Sequence, residues 1–232
     1  MEEIYHTYNR GVEKRKIFLE EKDYLRAVHD FYEFNDDNLV FNLNQRFRVN
    51  NGSPTPINLI NFKKTREIIV NLIAWCLMPN HYHLFLWPNM DNGISRFHQK
   101  FGGGYTNFFN LKYKRSGVLF QGKYKKIQVT NDDQALNLIC YIHANPLELW
   151  KPNWKEKGLT GSEIQDALDF LENRHRWSSH LDFLGIKNFP SLIDSSSSTT
   201  FFNDPKEYRE IFTNWLKNYE RNVGLVQKAI LE

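Results

Sequence analysis

Two histidines one residue apart, His81 and His83, lie in Met78-Pro79-Asn80-His81-Tyr82-His83-Leu84-Phe85-Leu86-Trp87-Pro88. Tyr82 and the run Leu84 to Trp87 have strand propensity, and prolines bound the run on both sides. Alternation along a strand turns both imidazoles to one face, with Cα atoms about 6–7 Å apart. That spacing suits two ligands converging on one divalent metal, although an arbitrary His-x-His is more often a pair of surface histidines. A second pair lies downstream in Leu138-Ile139-Cys140-Tyr141-Ile142-His143-Ala144-Asn145-Pro146. Tyr141 and Asn145 are four apart, so on a helix they share a face one turn apart. Pro146 disfavours helical geometry at the residue before it, which predicts Asn145 at or just past the helix end. A phenol that can attack phosphorus beside an amide oxygen that can ligate a metal is a useful combination. In isolation the same residues read as a partly buried tyrosine and an ordinary C-terminal asparagine.

Charge distribution points to the substrate class. The net charge of +3 is modest, but no acidic residue occurs between Asp91 and Asp132. That stretch holds Arg96, Lys100, Lys112, Lys114, Arg115, Lys123, Lys125 and Lys126, interleaved with Phe97, Phe101, Tyr105, Phe108, Phe109, Tyr113, Phe120 and Tyr124. Basic side chains release counterions from phosphates, and rings stack on unpaired bases. The plain alternative is a solvated basic face whose aromatics all point into the core. Tyr105 is a rival nucleophile, but its i+4 neighbour Phe109 cannot ligate metal. Stacking on a base or packing is the role expected of it, and Tyr141 is preferred as the attacking group.

These residues need elements to position them. Ile4 to Asn9 reads as a first strand and Glu20 to Phe34 as a helix with Tyr24, Val28 and Phe31 on one side. Residues from about 35 to 66 are polar and irregular, an insertion or long loop with a short helix near Leu59 to Lys64. Glu67 to Leu77 is a second strand, and Pro79-Asn80 turns it into the histidine strand as a hairpin. Asp91-Asn92-Gly93 opens a second helix, interrupted at Gly102-Gly103-Gly104, where a kink or the close approach of a phosphate is expected. Val118 to Val129 reads as a fourth strand broken by Gly122, and Asn131-Asp132-Asp133 caps the helix of Tyr141. The order βαββαβ is ferredoxin-like: an α+β fold with an antiparallel sheet and helices on one face, followed by a nucleophile-bearing helix. Residues 1–185 are expected to form the catalytic domain. Residues 186–232 are expected to form a linker at Asp194 to Thr200 and a helical C-terminal extension opened by Asp204-Pro205, with an apolar stripe at Tyr208, Ile211, Phe212, Trp215 and Leu216.

Composition narrows the class. The 232 residues are 41% hydrophobic and 25% charged, enough to bury a core, and 15% aromatic. No apolar run reaches the roughly 18–20 residues of a membrane span. The N-terminus lacks signal-peptide character, and Cys76 and Cys140 form no metal-ligand spacing. These features lead us to expect a cytoplasmic protein.

Met78-Pro79-Asn80-His81-Tyr82-His83, the stretch Arg115 to Tyr124 and Tyr141-Ile142-His143-Ala144-Asn145-Pro146 resemble the REP-associated tyrosine transposases. These are the single-tyrosine branch of the HUH endonucleases, in the transposase IS200-like superfamily. Trp177-Ser178-Ser179 resembles a further signature of that family. The resemblance spans about residues 4 to 185, with the motifs in the family's order. It implies His81 and His83 as metal ligands, Asn145 as the third ligand and Tyr141 as nucleophile, with Mg²⁺ or Mn²⁺ as the metal. Tyr82 departs mildly from the more usual aliphatic residue between the histidines. It further implies attack of Tyr141 on single-stranded or hairpin DNA, a covalent 5′-phosphotyrosine, a released 3′-hydroxyl and strand transfer, by a monomer or homodimer. Arg10, Lys112, Lys114, Arg115, Lys123, Lys125, Lys126 and Tyr105 are the expected DNA contacts. Arg174 and Arg176 are either further contacts or surface charges. Two other classes stay open: a domesticated, non-cleaving binder of DNA hairpins, and a metal-dependent phosphoesterase that makes no adduct.

Overall fold

The computed structural model describes residues 3–38, 66–193, 200–219, 222 and 224. The expected insertion at about 35–66, the serine-rich linker and the tail from Gly224 lie mostly outside these residues, and the short helix near Leu59 to Lys64 lies wholly outside. The chain begins with β1 (Ile4–Arg10), a 3-10 turn (Val12–Lys14) and α1 (Glu21–Glu33). Then follow β2 (Val70–Met78), β3 (His81–Pro88), α2 (Gly93–Lys112) and β4 (Lys125–Val129). Among the described residues there follow α3 (Asp132–Ala144), α4 (Leu147–Trp150), α5 (Trp154–Lys157), α6 (Glu163–Asn173), α7 (His180–Phe183) and α8 (Pro205–Lys217).

The four strands form one antiparallel sheet in the order β2-β3-β1-β4. With α1 and α2 as the crossovers, this is the ferredoxin-like α+β arrangement. The two faces of the sheet are covered by different elements. Tyr5, Leu72, Trp75, Tyr82, Leu84 and Leu86 pack against α1 and α2 through Phe31, Phe97, Phe101 and Tyr105. Ile4, Ile73, Ala74, Cys76, Met78 and Phe85 pack under α3, backed by α6 and α8. Helices therefore cover both faces of the sheet, and the helix that carries Tyr141 is what closes the second. A register shift between Leu72 and Ala74 breaks the alternation of β2. Beyond it Ala74, Cys76 and Met78 face α3.

Local chemistry fixes the helix ends. Asn131 accepts the Gln134 backbone N–H at 2.8 Å, and Asp132 and Asp133 lie in the first turn of α3. Asp204 caps α8 through Lys206 and Glu207, with Pro205 following, as its sequence predicts.

Two expectations are corrected. α2 runs unbroken through Gly102-Gly103-Gly104. Only Gly104 meets a close neighbour, because a Cβ there would stand 2.3 Å from the Phe34 ring; the other two have open space. The triplet thus includes one position that admits the ring of Phe34, the C-cap of α1. The fourth strand is also shorter than Val118 to Val129. Gly117 and Gly122 have positive φ, and regular pairing starts at Lys125.

Candidate active site

The site stands at the end of the sheet where β2 turns into β3, on the α3 face. In the register Arg10 pairs with His81 and Met78 with His81, while Tyr8 and Cys76 pair with His83. Cross-strand partners share a face, so Arg10, His81 and Met78 form one row and Tyr8, His83 and Cys76 the next. The His81 and His83 rings are 5.0 Å apart between centroids, at 87°. Each is oriented through Nδ1. His81 Nδ1 donates to Asn80 Oδ1 at 2.7 Å, and Asn80 turns its Nδ2 to the Lys14 carbonyl. His83 Nδ1 bonds His6 Nε2 at 3.0 Å, with the two rings stacked. Nε2 is then the atom each imidazole would present to a cation, the usual way partner groups aim metal-binding histidines.

α3 brings Tyr141 over this row, its ring edge-on to His83 at 5.8 Å between centroids. Asn145 is the C-cap of the helix, one residue past its end. Despite Pro146 it keeps helical angles (φ −50, ψ −41), and the chain continues directly into α4. Asn145 Nδ2 donates to the Tyr141 carbonyl at 3.1 Å, which turns Oδ1 outward. Lys155, on α5, completes the group: its Nζ donates to Tyr141 Oη at 3.1 Å and to Asn145 Oδ1 at 3.0 Å, and lies 4.6 Å above the Tyr141 ring centre. A cavity of about 290 Å³ opens beside these residues, lined by Met78, His81, Asn145, Glu148, Asn153, Lys155 and Glu156.

The donor set fits a divalent cation. It has two oriented imidazoles, an outward amide oxygen and a phenol oxygen, and two of these atoms already accept from an ammonium. Among the described residues no cluster of three His, Cys, Asp or Glu could hold a metal; the two-histidine, one-amide set is of a different kind.

The other expected residues divide sharply. Tyr105 is fully buried, and its hydroxyl donates to the Ile17 carbonyl at 2.6 Å. Burial pushes its pKa well up. From there it does not reach DNA, so the stacking expected of it is corrected to packing, the other role offered for it. The Lys112 ammonium is held by Glu20 and the buried carboxylate of Asp23, tying the end of α2 to the start of α1. Arg115 braces the loop after α2, donating to Asn110 Oδ1 at 2.9 Å. Lys114, Lys123, Lys125 and Lys126 lie at the surface. Lys125 pairs in register with Tyr8 and so lies on the site face, whereas Lys126 pairs with Thr7 and lies over the Tyr5 ring on the other. Arg10 is exposed beside His81 and donates to Gln121 Oε1 at 2.7 Å. Arg176 stacks on Trp177 and Phe189.

Sequence reasoning missed His6, Tyr8 and Lys155. His6, Tyr8 and Arg10 stand two apart on a strand, a same-face signal that was present. Lys155 carries no such signal, because only the fold back of α5 brings it to Tyr141. The Trp-Ser-Ser segment ties β2 to α3. Ser179 Oγ accepts from the Trp75 backbone N–H at 2.9 Å and bonds His143 Nε2 at 2.7 Å. Tyr208 on α8 bonds both His143 and His180.

Residues 38–145 match the family model described as transposase IS200 like, a segment that contains His81, His83, Tyr141 and Asn145. This is the superfamily to which the sequence motifs pointed. A comparison with curated proteins finds no match. Among solved structures the chain is similar to one described as the structure of the REP associates tyrosine transposase bound to a REP hairpin. The identity is 13%, the alignment covers 84% of this chain and 86% of that one, and the TM-score is 0.46. Among the described residues no helix is long and apolar enough to cross a membrane.

Proposed function

We propose that this chain is a transposase-like enzyme that nicks single-stranded DNA at hairpin or palindromic repeats and transfers the strand, with Tyr141 as nucleophile. The observation that carries the reading is the convergence of Tyr141 Oη and Asn145 Oδ1 on one point, 3.1 and 3.0 Å from a single cationic nitrogen, beside His81 and His83. It gains weight because all four residues fall in the segment that matches the transposase family model. His81, His83 and Asn145 would hold Mg²⁺ or Mn²⁺, which when bound supplies charge stabilisation at the scissile phosphate.

The chain's own residues do the rest. Tyr141 Oη attacks phosphorus, a phenolic P–O bond forms, and the bond to the 3′-oxygen breaks. The phenol proton passes to water, and the departing 3′-oxygen takes one up. The product is a 5′-phosphotyrosine with a free 3′-hydroxyl. The covalent link conserves the phosphodiester, so the 3′-hydroxyl of another strand can reverse the step onto a new end. No water is activated and no separate general base is required. Arg10 and Lys125, on the site face, are suited to backbone phosphates flanking the target. The reading implies action on chromosomal DNA in the cytoplasm, as a monomer or homodimer.

The test is incubation with labelled single-stranded DNA from palindromic repeats flanking the gene, with Mn²⁺, resolved on a denaturing protein gel. The expected result is a metal-dependent labelled protein band. Tyr141→Phe should lower its yield about a thousandfold or more, and Tyr105→Phe should leave it in place. Cleaved DNA with no labelled protein would establish a phosphoesterase instead. Binding with neither cleavage nor adduct would establish a non-cleaving hairpin binder.

A further inference from the structure

We infer that Lys155 is a positioning residue that acts in two ways. It stands in for the metal at Asn145 until the metal arrives, and it holds the Tyr141 phenol for attack. This rests on the function proposed for the site. The geometry is specific, since one ammonium bridges the phenol oxygen and the amide oxygen at 3.1 and 3.0 Å and lies over the phenol ring. Both acceptors belong to side chains that are almost fully buried, so the contacts are not casual surface pairings.

The segment that carries Lys155 is built to hold it. Asn153 adopts the left-handed conformation that starts α5, and its N–H donates to Glu148 Oε1 at 2.8 Å. Trp154 is fully buried and packs on Tyr219 at 4.5 Å between ring centres. Gly158 ends the turn with φ +68, where residues with a side chain are disfavoured. Lys151 closes the bracket, bonding the Gly158 carbonyl at 3.2 Å and Glu163 at 2.7 Å. A one-turn helix clamped at its start, its middle and its end fixes the side chain between its anchors.

Two positive centres cannot share Asn145 Oδ1, because close like charges in a partly buried site repel strongly. With a divalent ion held by His81, His83 and Asn145, the ammonium would leave the amide oxygen and keep its contact with the phenol oxygen. The lysine then opposes metal binding and favours nucleophile alignment. A residue that only supported the fold would not act on these two quantities in opposite directions.

The test uses the full chain with Lys155→Met, which keeps the length and apolar stem, and Lys155→Arg, which keeps the charge. Mn²⁺ affinity is read from the free-ion electron paramagnetic resonance signal without DNA, and adduct formation in single turnover at saturating Mn²⁺. Lys155→Met should bind Mn²⁺ at least about tenfold tighter and form adduct about tenfold or more slowly, while Lys155→Arg stays near wild type in affinity. His81→Ala reports whether the bound ion is at this site. If wild type binds Mn²⁺ in a His81-dependent way but Lys155→Met binds it equally or more weakly, or forms adduct at the wild-type rate, this inference is overturned and the proposed function stands. If neither wild type nor Lys155→Met binds Mn²⁺, both fall.

Discussion

The two faces of the sheet are built from the same four strands and do opposite things. The face under α1 and α2 is a closed aromatic layer: Phe31, Tyr82, Phe97, Phe101 and Tyr105 are nearly inaccessible and in mutual ring contact. The face under α3 is apolar at one end, but where β2 turns into β3 it carries His6, Tyr8, His81 and His83. There it meets Tyr141, Asn145 and Lys155 rather than more hydrocarbon. Alternation makes this division possible, because consecutive residues of β3 serve different layers: Tyr82 the aromatic core, and His81 and His83 the site. One face supplies the rigidity that lets the other hold polar groups in fixed positions.

Removing a ring from the aromatic layer should therefore be the most damaging change to stability while touching no reacting group. Phe101 is fully buried against Phe31, Tyr82 and Tyr105. Phe101→Ala should cost about 3–5 kcal/mol, measured by urea unfolding. The fraction that remains folded should keep the Mn²⁺ affinity of wild type. A large fall in affinity per folded molecule would show that the two faces are not separable.

Acid should act on both faces with a smaller effect per group. Burial depresses His98 to about 3 on the aromatic face, and His180 to about 3 and His175 to about 4 on the other. A depressed histidine is neutral when folded and takes up its proton only on unfolding. The stability it contributes is full above the unfolded value of about 6.5 and is lost as pH falls toward the folded value. Each histidine should cost about 2 kcal/mol between pH 6.5 and pH 5. Asp30 works in the other direction. Burial raises its folded pKa to about 6, so it protonates first in the folded state and returns part of the loss below that pH. The net expectation is lower stability at pH 5 than at pH 7. His98→Gln should flatten the slope by about one proton, and an unchanged slope would mean that His98 is already charged in its pocket.

How much of this was legible in the sequence depends on the range of the interaction. His81 with His83 and Tyr141 with Asn145 were readable because a strand repeats at two residues and a helix at four. The hairpin and the cap at Asn131 followed from equally local signals. The fate of the basic, aromatic stretch was not legible in the same way. Phe97, Phe101, Tyr105 and Phe109 recur every four residues, which is the pattern of a buried stripe, and α2 uses them that way. Composition suggested base stacking while periodicity already pointed to core. The ion pairs of Lys112 and the arrival of Lys155 depend on contacts between distant segments, and no local rule announces either.

The smallest expected effect distinguishes the faces by charge alone. Lys125 and Lys126 are adjacent, exposed and on the outer strand of the sheet, yet the register sends Lys125 to the row of Tyr8 and His83, and Lys126 over Tyr5. If DNA lies on the α3 face, Lys125→Ala should weaken single-strand binding a fewfold and reduce the slope of log affinity against log salt by about one contact. Lys126→Ala should change the slope by much less, since its ammonium faces the other layer. Measured by fluorescence anisotropy at several salt concentrations, equal losses would mean that the strand follows the edge of the sheet. A larger loss at Lys126 would put the DNA on the aromatic side, away from Tyr141, and would separate binding from the proposed chemistry.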